Sequence, residues 1–184
     1  MKKDSKGFKV KNKFRKQCLN RLKFYNNITK IKKDKKICKV LLEQIDRQKA
    51  KNILLYIPMD IEVNVKPLIN VLRKRKDIKV FVPYMVEDSF KAVPFRLPLN
   101  TGRFNIKEPR NSSFKRFSID LAIVPIVGVD STFKRIGFGK GMYDRYFWRL
   151  KENPYKIFVQ RTFCQSNQIL SDKYDIQADY IISH

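Results

Sequence analysis

Apolar residues follow two rhythms along this chain, spaced three and four apart in some stretches and packed into short runs in others. From Phe8 to Tyr25, the residues Val10, Phe14, Cys18, Leu22 and Tyr25 recur at helical spacing among charged positions, which predicts an amphipathic helix. Ile31 to Ile45 repeats the pattern through Ile31, Ile37, Val40, Leu41 and Ile45, with Thr29 placed to cap its start. Asn52 to Ile57 is a short apolar run closed by Pro58, read as a strand. A helix follows, capped by Asn64, with Pro67 in its first turn and Leu68, Ile69, Val71 and Leu72 turned inward. Further strands are predicted at Lys79–Val82 (stopped by Pro83), Leu121–Val124, Lys156–Val159 and Asp179–Ser183, with Phe90–Phe95 an edge strand and a turn at Asn100-Thr101-Gly102. A last helix runs from Tyr143 to Leu150. Short apolar strands alternating with helices predict an α/β fold. We expect one domain over residues 1–184, in three layers (α/β/α) around a largely parallel, open, Rossmann-like central sheet. Residues 1–6 read as a frayed tail and 8–50 as basic helices.

Composition narrows the function. Apolar residues make up 43% of the chain, enough for a core, and no run approaches the roughly 18–20 residues of a membrane span. The lysine-rich start has no apolar stretch behind it, so no secretory leader is expected. Cys18, Cys38 and Cys164 are odd in number and far apart, which predicts free thiols in the cytoplasm rather than a disulfide framework or zinc site. The formal charge is +24, and residues 1–51 alone hold 19 basic against 4 acidic side chains, a field that attracts phosphates and carboxylates. Nucleic acid is the obvious polyanion. The excess is lysine rather than arginine, however, and exposed aromatics are not interleaved with it as a stacking surface requires. The only histidine is His184, so Ser-His-Asp and Cys-His chemistry lack a base.

The chemistry concentrates at Arg135-Ile136-Gly137-Phe138-Gly139-Lys140-Gly141-Met142-Tyr143-Asp144-Arg145. Three of the six glycines alternate here between two arginines, after a strand and before a helix. Glycine amides can approach an anion closely, Arg135, Lys140 and Arg145 can neutralise it, and Asp144 can hold a magnesium ion bridging phosphates. The run is neither a GxxxxGK[ST] loop nor GxGxxG followed by a distant acid. In open α/β sheets the ligand lies beyond the carboxyl ends of the strands. That rule gathers residues 57–62, 83–85, 125–141 and the segment after Val159. Asp60 and Glu62 fall in that crevice, and Lys11 and Arg15, four apart, share one helix face.

These residues resemble the 5-formyltetrahydrofolate cyclo-ligase family. Val124-Pro125, Gly128-Val129-Asp130 and Arg135 through Arg145 match its signature. Lys11 and Arg15, Tyr56-Ile57-Pro58 with Glu62-Val63, Gly102 with Ile106-Lys107-Glu108-Pro109, Gln160, and Asp179-Tyr180-Ile181-Ile182 match further landmarks in order. Met142 stands where the family usually carries an aromatic residue. The resemblance implies ATP- and Mg2+-dependent cyclisation of 5-formyltetrahydrofolate to 5,10-methenyltetrahydrofolate through a phosphorylated formyl oxygen. It implies that Lys11, Arg15 and Arg135 through Tyr143 (Ile136, Gly137, Phe138, Gly139, Lys140, Gly141 and Met142 between them) bind ATP. Of these, the resemblance implies that Arg135, Lys140 and Tyr143 are catalytic. It implies too that Ile57, Glu62 and residues 138–142 contact folate and that Asp144 and Asp179 hold magnesium. A monomer without membrane attachment is expected, its basic surface drawing folate and any polyglutamate tail. Two other readings stay open: a basic nucleic-acid-binding protein on the same fold, and a nucleotide-dependent enzyme acting on another small acid.

Overall fold

The apolar runs become strands because each buries both faces, which calls for near-continuous Val, Ile and Leu rather than strict alternation. The computed structural model describes residues 5–102, 107–110 and 117–184. Its elements follow in the order α1 (Ser5–Arg47), β1 (Asn52–Leu54), α2 (Lys66–Leu72), β2 (Lys79–Val86), β3 (Ser89–Pro94), β4 (Leu99–Thr101), β5 (Lys107–Pro109), β6 (Leu121–Pro125), β7 (Gly128–Val129), β8 (Arg135–Ile136), α3 (Met142–Trp148), β9 (Tyr155–Gln160) and β10 (Tyr180–Ser183). Six strands form the main sheet in the order β10-β9-β6-β1-β2-β3. All neighbours are parallel except β3, which folds back antiparallel on β2 as an edge. β4 with β5, and β7 with β8, form two small antiparallel ribbons.

Alternate residues of each strand feed two cores. Leu121 and Ile123 of β6, with Ile157 and Val159 of β9, pack against Ile37, Leu41 and Ile45 of α1 and Leu68, Ile69 and Leu72 of α2. Ala122 and Val124, with Phe158, face the other way, onto Tyr146 and its neighbours on α3. Burying each large aliphatic side chain contributes about 1.5–3 kcal/mol before entropy is counted.

The two expected N-terminal helices lie within α1 and meet at a kink at Thr29, whose φ of −136° is not helical, where the sequence places the start of the second. Other local expectations need correction. Ile31 follows this kink and Val10 lies in the first turns beyond the core, so both are exposed, as is Val71. β2 continues through Pro83, because the ladder with β1 ends at Leu54 and Phe81 and the missing N–H falls beyond it. Cys18 and Cys164 are not separate thiols: they form a disulfide across 146 residues, their Cα atoms 5.9 Å apart. Phe14, Leu19, Val127 and Phe138 pack around the pair and bring α1 against the segment after β9. Cys38 stays free. The Tyr25 side chain, Phe104, Ile106 and residues 1–4 lie outside the described set.

The disulfide closes a long loop, so it stabilises the fold mainly by restricting the unfolded chain. Cys164→Ser should lose about 2–4 kcal/mol in denaturant titrations without reductant and match the wild type with reductant present. Equal stability of the two proteins under both conditions would show that the bond does not form.

Candidate active site

The carboxyl end of β6 and the ribbon β7–β8 deliver the glycine loop to the crevice. Its shape follows from two left-handed residues, Gly139 (φ 106°) and Gly141 (φ 64°), conformations that cost an L side chain energy. Gly141 also serves as the N-cap of α3. Beneath the loop lies the guanidinium of Arg135, buried to 4% exposure. Its Nε and Nη2 donate to the Pro125 carbonyl at 3.2 and 3.0 Å, and its Nη1 donates to Asp144 Oδ2 at 3.2 Å. The ring of Tyr143 lies 5.0 Å from it.

Two cavities open on either side of this loop. The first, about 640 Å³, is charged: Lys11, Arg15, Lys140, Arg145, Asp144 and Asp175 line it with Gly137, Gly139 and Gly141. Arg15 Nε donates to the Gly137 carbonyl at 2.7 Å, and Lys11 pairs with Asp175. Burial lowers the pKa of Arg15, against the upward pull of Asp175. The second, about 330 Å³, is mostly apolar, with Tyr56, Ile57, Met85, Phe90, Phe138, Met142 and Tyr143 on its walls and Glu62 as its acid. Lys140 and Gly141 line both cavities.

Glu62 is fixed from behind. Its Oε2 accepts from the Met59 N–H at 2.9 Å. Arg161, fully sequestered, grips Asp34 of α1 at 2.7 and 3.1 Å. Arg161 also donates to the carbonyls of Asp60 (3.2 Å), Ile61 (3.1 Å) and Glu62. One buried ion pair therefore holds the loop that carries the acid. Burial raises the Glu62 pKa to about 7, although the Met59 N–H, Arg135 and Arg161 oppose the shift. Burial, then Glu62, pushes Tyr143 upward as well, so its phenol stays neutral. Asp130, entirely buried, accepts from Thr132 N and Oγ1, Lys134 N, Leu170 N and Ser171 N at 2.7–3.2 Å. Burial would raise its pKa, but bonds from Ser171 and Thr132 hold it below the usual carboxylate range. It thereby ties the 170–171 segment to the glycine loop's ribbon.

The expected site residues divide between the cavities. Lys11, Arg15, Gly137, Gly139 and Asp144 meet at the charged one; Ile57, Glu62, Phe138, Met142 and Tyr143 meet at the apolar one. Arg135 supports the loop and lines the apolar cavity, and Ile136 is buried in the core. Gln160 ends β9 buried and lines neither cavity. Asp179 lines neither cavity. It precedes the parallel strand β10 at the amino end of the sheet, and there it accepts from Lys156 N at 2.7 Å and pairs with Lys156 Nζ at 2.9 Å. Asp175, not singled out from the sequence, stands across from Asp144 instead. The segment after Val159 marked the right region, but two aspartates four apart gave no means of choosing. Arg161 was also missed. Its partner left a signal: Asp34 is a lone acid among lysines, in register with Ile37, Leu41 and Ile45 on the buried face of α1.

The model of the 5-formyltetrahydrofolate cyclo-ligase family matches residues 8–184. The chain belongs to this family. It is 31% identical over 176 residues to 5-formyltetrahydrofolate cyclo-ligase of Mycoplasma genitalium, covering 94% of this chain and 96% of that protein. Its identity to the Mycoplasma pneumoniae cyclo-ligase is 29% over 174 residues, 94% and 98% of the two chains. The fold matches 5,10-methenyltetrahydrofolate synthetase of Mycoplasma pneumoniae (TM-score 0.72, 28% identity, 94% and 97% covered). It also matches that of Aquifex aeolicus (TM-score 0.78, 27% identity, 95% and 89% covered). Membership makes the chain an enzyme with the family's cyclo-ligase activity, an ATP-dependent ligation in folate one-carbon metabolism. Among the described residues, no helix is long and apolar enough to cross a membrane.

Glu62 yields a test by linkage. Its pKa rises from 4.5 unfolded to about 7 folded, so below pH 4.5 both states hold the proton and the burial carries no penalty. Between pH 4.5 and 7 the unfolded chain releases its proton first, and stability falls as pH rises. Glu62→Gln should therefore be more stable than the wild type at pH 8, by up to about 3 kcal/mol, with the gain vanishing near pH 4. A stability difference independent of pH, read from denaturation midpoints, would place the carboxyl in water.

Proposed function

We propose that the charged cavity holds the triphosphate of ATP, that the apolar cavity holds the pterin end of 5-formyltetrahydrofolate, and that the terminal phosphate crosses at Lys140 and Gly141. The observation that carries this reading is the shared wall: these two loop residues line both cavities. The amides of the glycine loop with Lys11, Arg15 and Arg145 surround the phosphates, and the positive loop neutralises charge that grows during transfer. Flat apolar walls from Tyr56, Phe90 and Tyr143 suit a pterin, and Glu62 offers its polar edge a hydrogen-bond partner.

The chemistry balances without a histidine. The formyl oxygen takes the terminal phosphoryl group and ADP leaves. The second folate nitrogen then closes on the formyl carbon and gives up its proton, to water or the departing phosphate, the carbon–oxygen bond breaks, and phosphate departs with the oxygen. Phosphorylation turns a poor leaving group into a good one, and positioning supplies most of the rest. Asp144 and Asp175 fit a magnesium ion. Burial raises the Asp175 pKa, partly opposed by Lys11, and Asp144 adds to the rise, so the two carboxylates sense each other across the cavity. No cluster of three acidic, His or Cys ligands exists among the described residues, and magnesium characteristically takes one or two carboxylates plus phosphate oxygens. When bound, the ion supplies neutralisation of the phosphate charge. This reading takes the enzyme as a monomer in the cytoplasm.

Mixing the protein with 5-formyltetrahydrofolate, ATP and magnesium should raise methenyl absorbance, and omitting ATP should abolish it. Asp144→Asn should lower kcat by about 100-fold or more. Asp175→Asn should raise the magnesium requirement, and Asp179→Asn should leave it near normal. Full turnover without ATP would refute the reading, and a magnesium requirement that responds to Asp179 but not Asp175 would refute the ligand assignment.

A further inference from the structure

The charged cavity has a second character at its rim. Phe8 from the first turns of α1, Trp148 at the end of α3 and Tyr174 from the loop before β10 all line it. They are 51%, 62% and 47% exposed. Three large aromatics from three distant segments converge on one opening, each with about half or more of its surface in water. Trp148 and Tyr174 meet each other, edge to face, with ring centroids 5.1 Å apart. Trp148 is the only tryptophan of the chain.

We propose that Phe8, Trp148 and Tyr174 form the platform on which the purine ring of the nucleotide stacks, and so fix its affinity and orientation. This rests on the reading of the cavity as the triphosphate site. The inner wall is cationic and suits phosphates, and the outer rim is flat and apolar and suits a heterocycle. The volume, about 640 Å³, lies in the range of roughly 300–1,000 Å³ that accepts a ligand of this size rather than phosphates alone. Exposed aromatic faces beside a cationic groove are the arrangement by which proteins hold bases, and each stack contributes about 1–3 kcal/mol. Lys173, 5.1 Å from the Tyr174 ring, adds positive charge at the same rim.

Trp148 makes the test direct, because the chain's single tryptophan, whose emission can be excited apart from the tyrosines, lies at the proposed contact. ADP should change its emission; tripolyphosphate, with the charges but no base, should inhibit turnover competitively with ATP yet leave the emission nearly unchanged. Trp148→Ala should raise KM for ATP by roughly 5- to 100-fold with little change in kcat and none in the inhibition constant of tripolyphosphate. Trp148→Phe should recover most of the loss, and Tyr174→Ala should act in the same direction, which guards against a misfolded single variant. Inhibition by tripolyphosphate with a KM for ATP unchanged in Trp148→Ala and Tyr174→Ala would overturn the platform and leave the phosphate site intact. No inhibition by tripolyphosphate would overturn the phosphate site, and the platform with it.

Discussion

The buried guanidinium of Arg135 is the constraint on which the site is built. A charge this sequestered is tolerable only when its donors are bonded, and the Pro125 carbonyl and Asp144 bond them. Through those bonds it pins three things together: the carboxyl end of β6, the glycine loop and the first turn of α3. Removing it would strip the Pro125 carbonyl of two donors and Asp144 Oδ2 of one, a cost of the order of several kcal/mol. Arg135 is thus the tether that gives the loop its position.

From that position the loop becomes a partition. Its left-handed glycines let the backbone run close between two cavities of opposite character, and Lys140 and Gly141 face both. Each cavity is then secured from its far side. Asp130 holds the 170–171 segment against the charged cavity, while the Arg161–Asp34 pair holds residues 60–62 against the apolar one. α1 serves both, with Lys11 and Arg15 near its start and Asp34 beyond the kink at Thr29. The disulfide from Cys18 fastens the same helix between those two points.

The sequence disclosed the frame well, for a physical reason. Parallel strands bury both faces, so Leu121–Val124 and Lys156–Val159 announce themselves as unbroken apolar runs. The glycine loop was equally legible, because few roles require Gly, Arg, Lys and Asp together between a strand and a helix. What stayed hidden depends on partners distant in the chain. Arg161 and Asp34 are 127 positions apart, and Cys18 and Cys164 are 146 apart. Asp175 and Asp179 look alike in sequence, and only the entry of β10 at the amino end of the sheet separates them. Pro83 misled because a proline stops a strand only where its missing N–H would have been bonded.

The central claim is that the partition passes a phosphoryl group from one cavity to an oxygen bound in the other. Its most direct test is turnover of 5-formyltetrahydrofolate carrying 18O in the formyl group, with mass analysis of the phosphate released. The account predicts that the label appears in phosphate, one atom for each methenyl product formed. Phosphate free of label, with the methenyl product still forming, would contradict it.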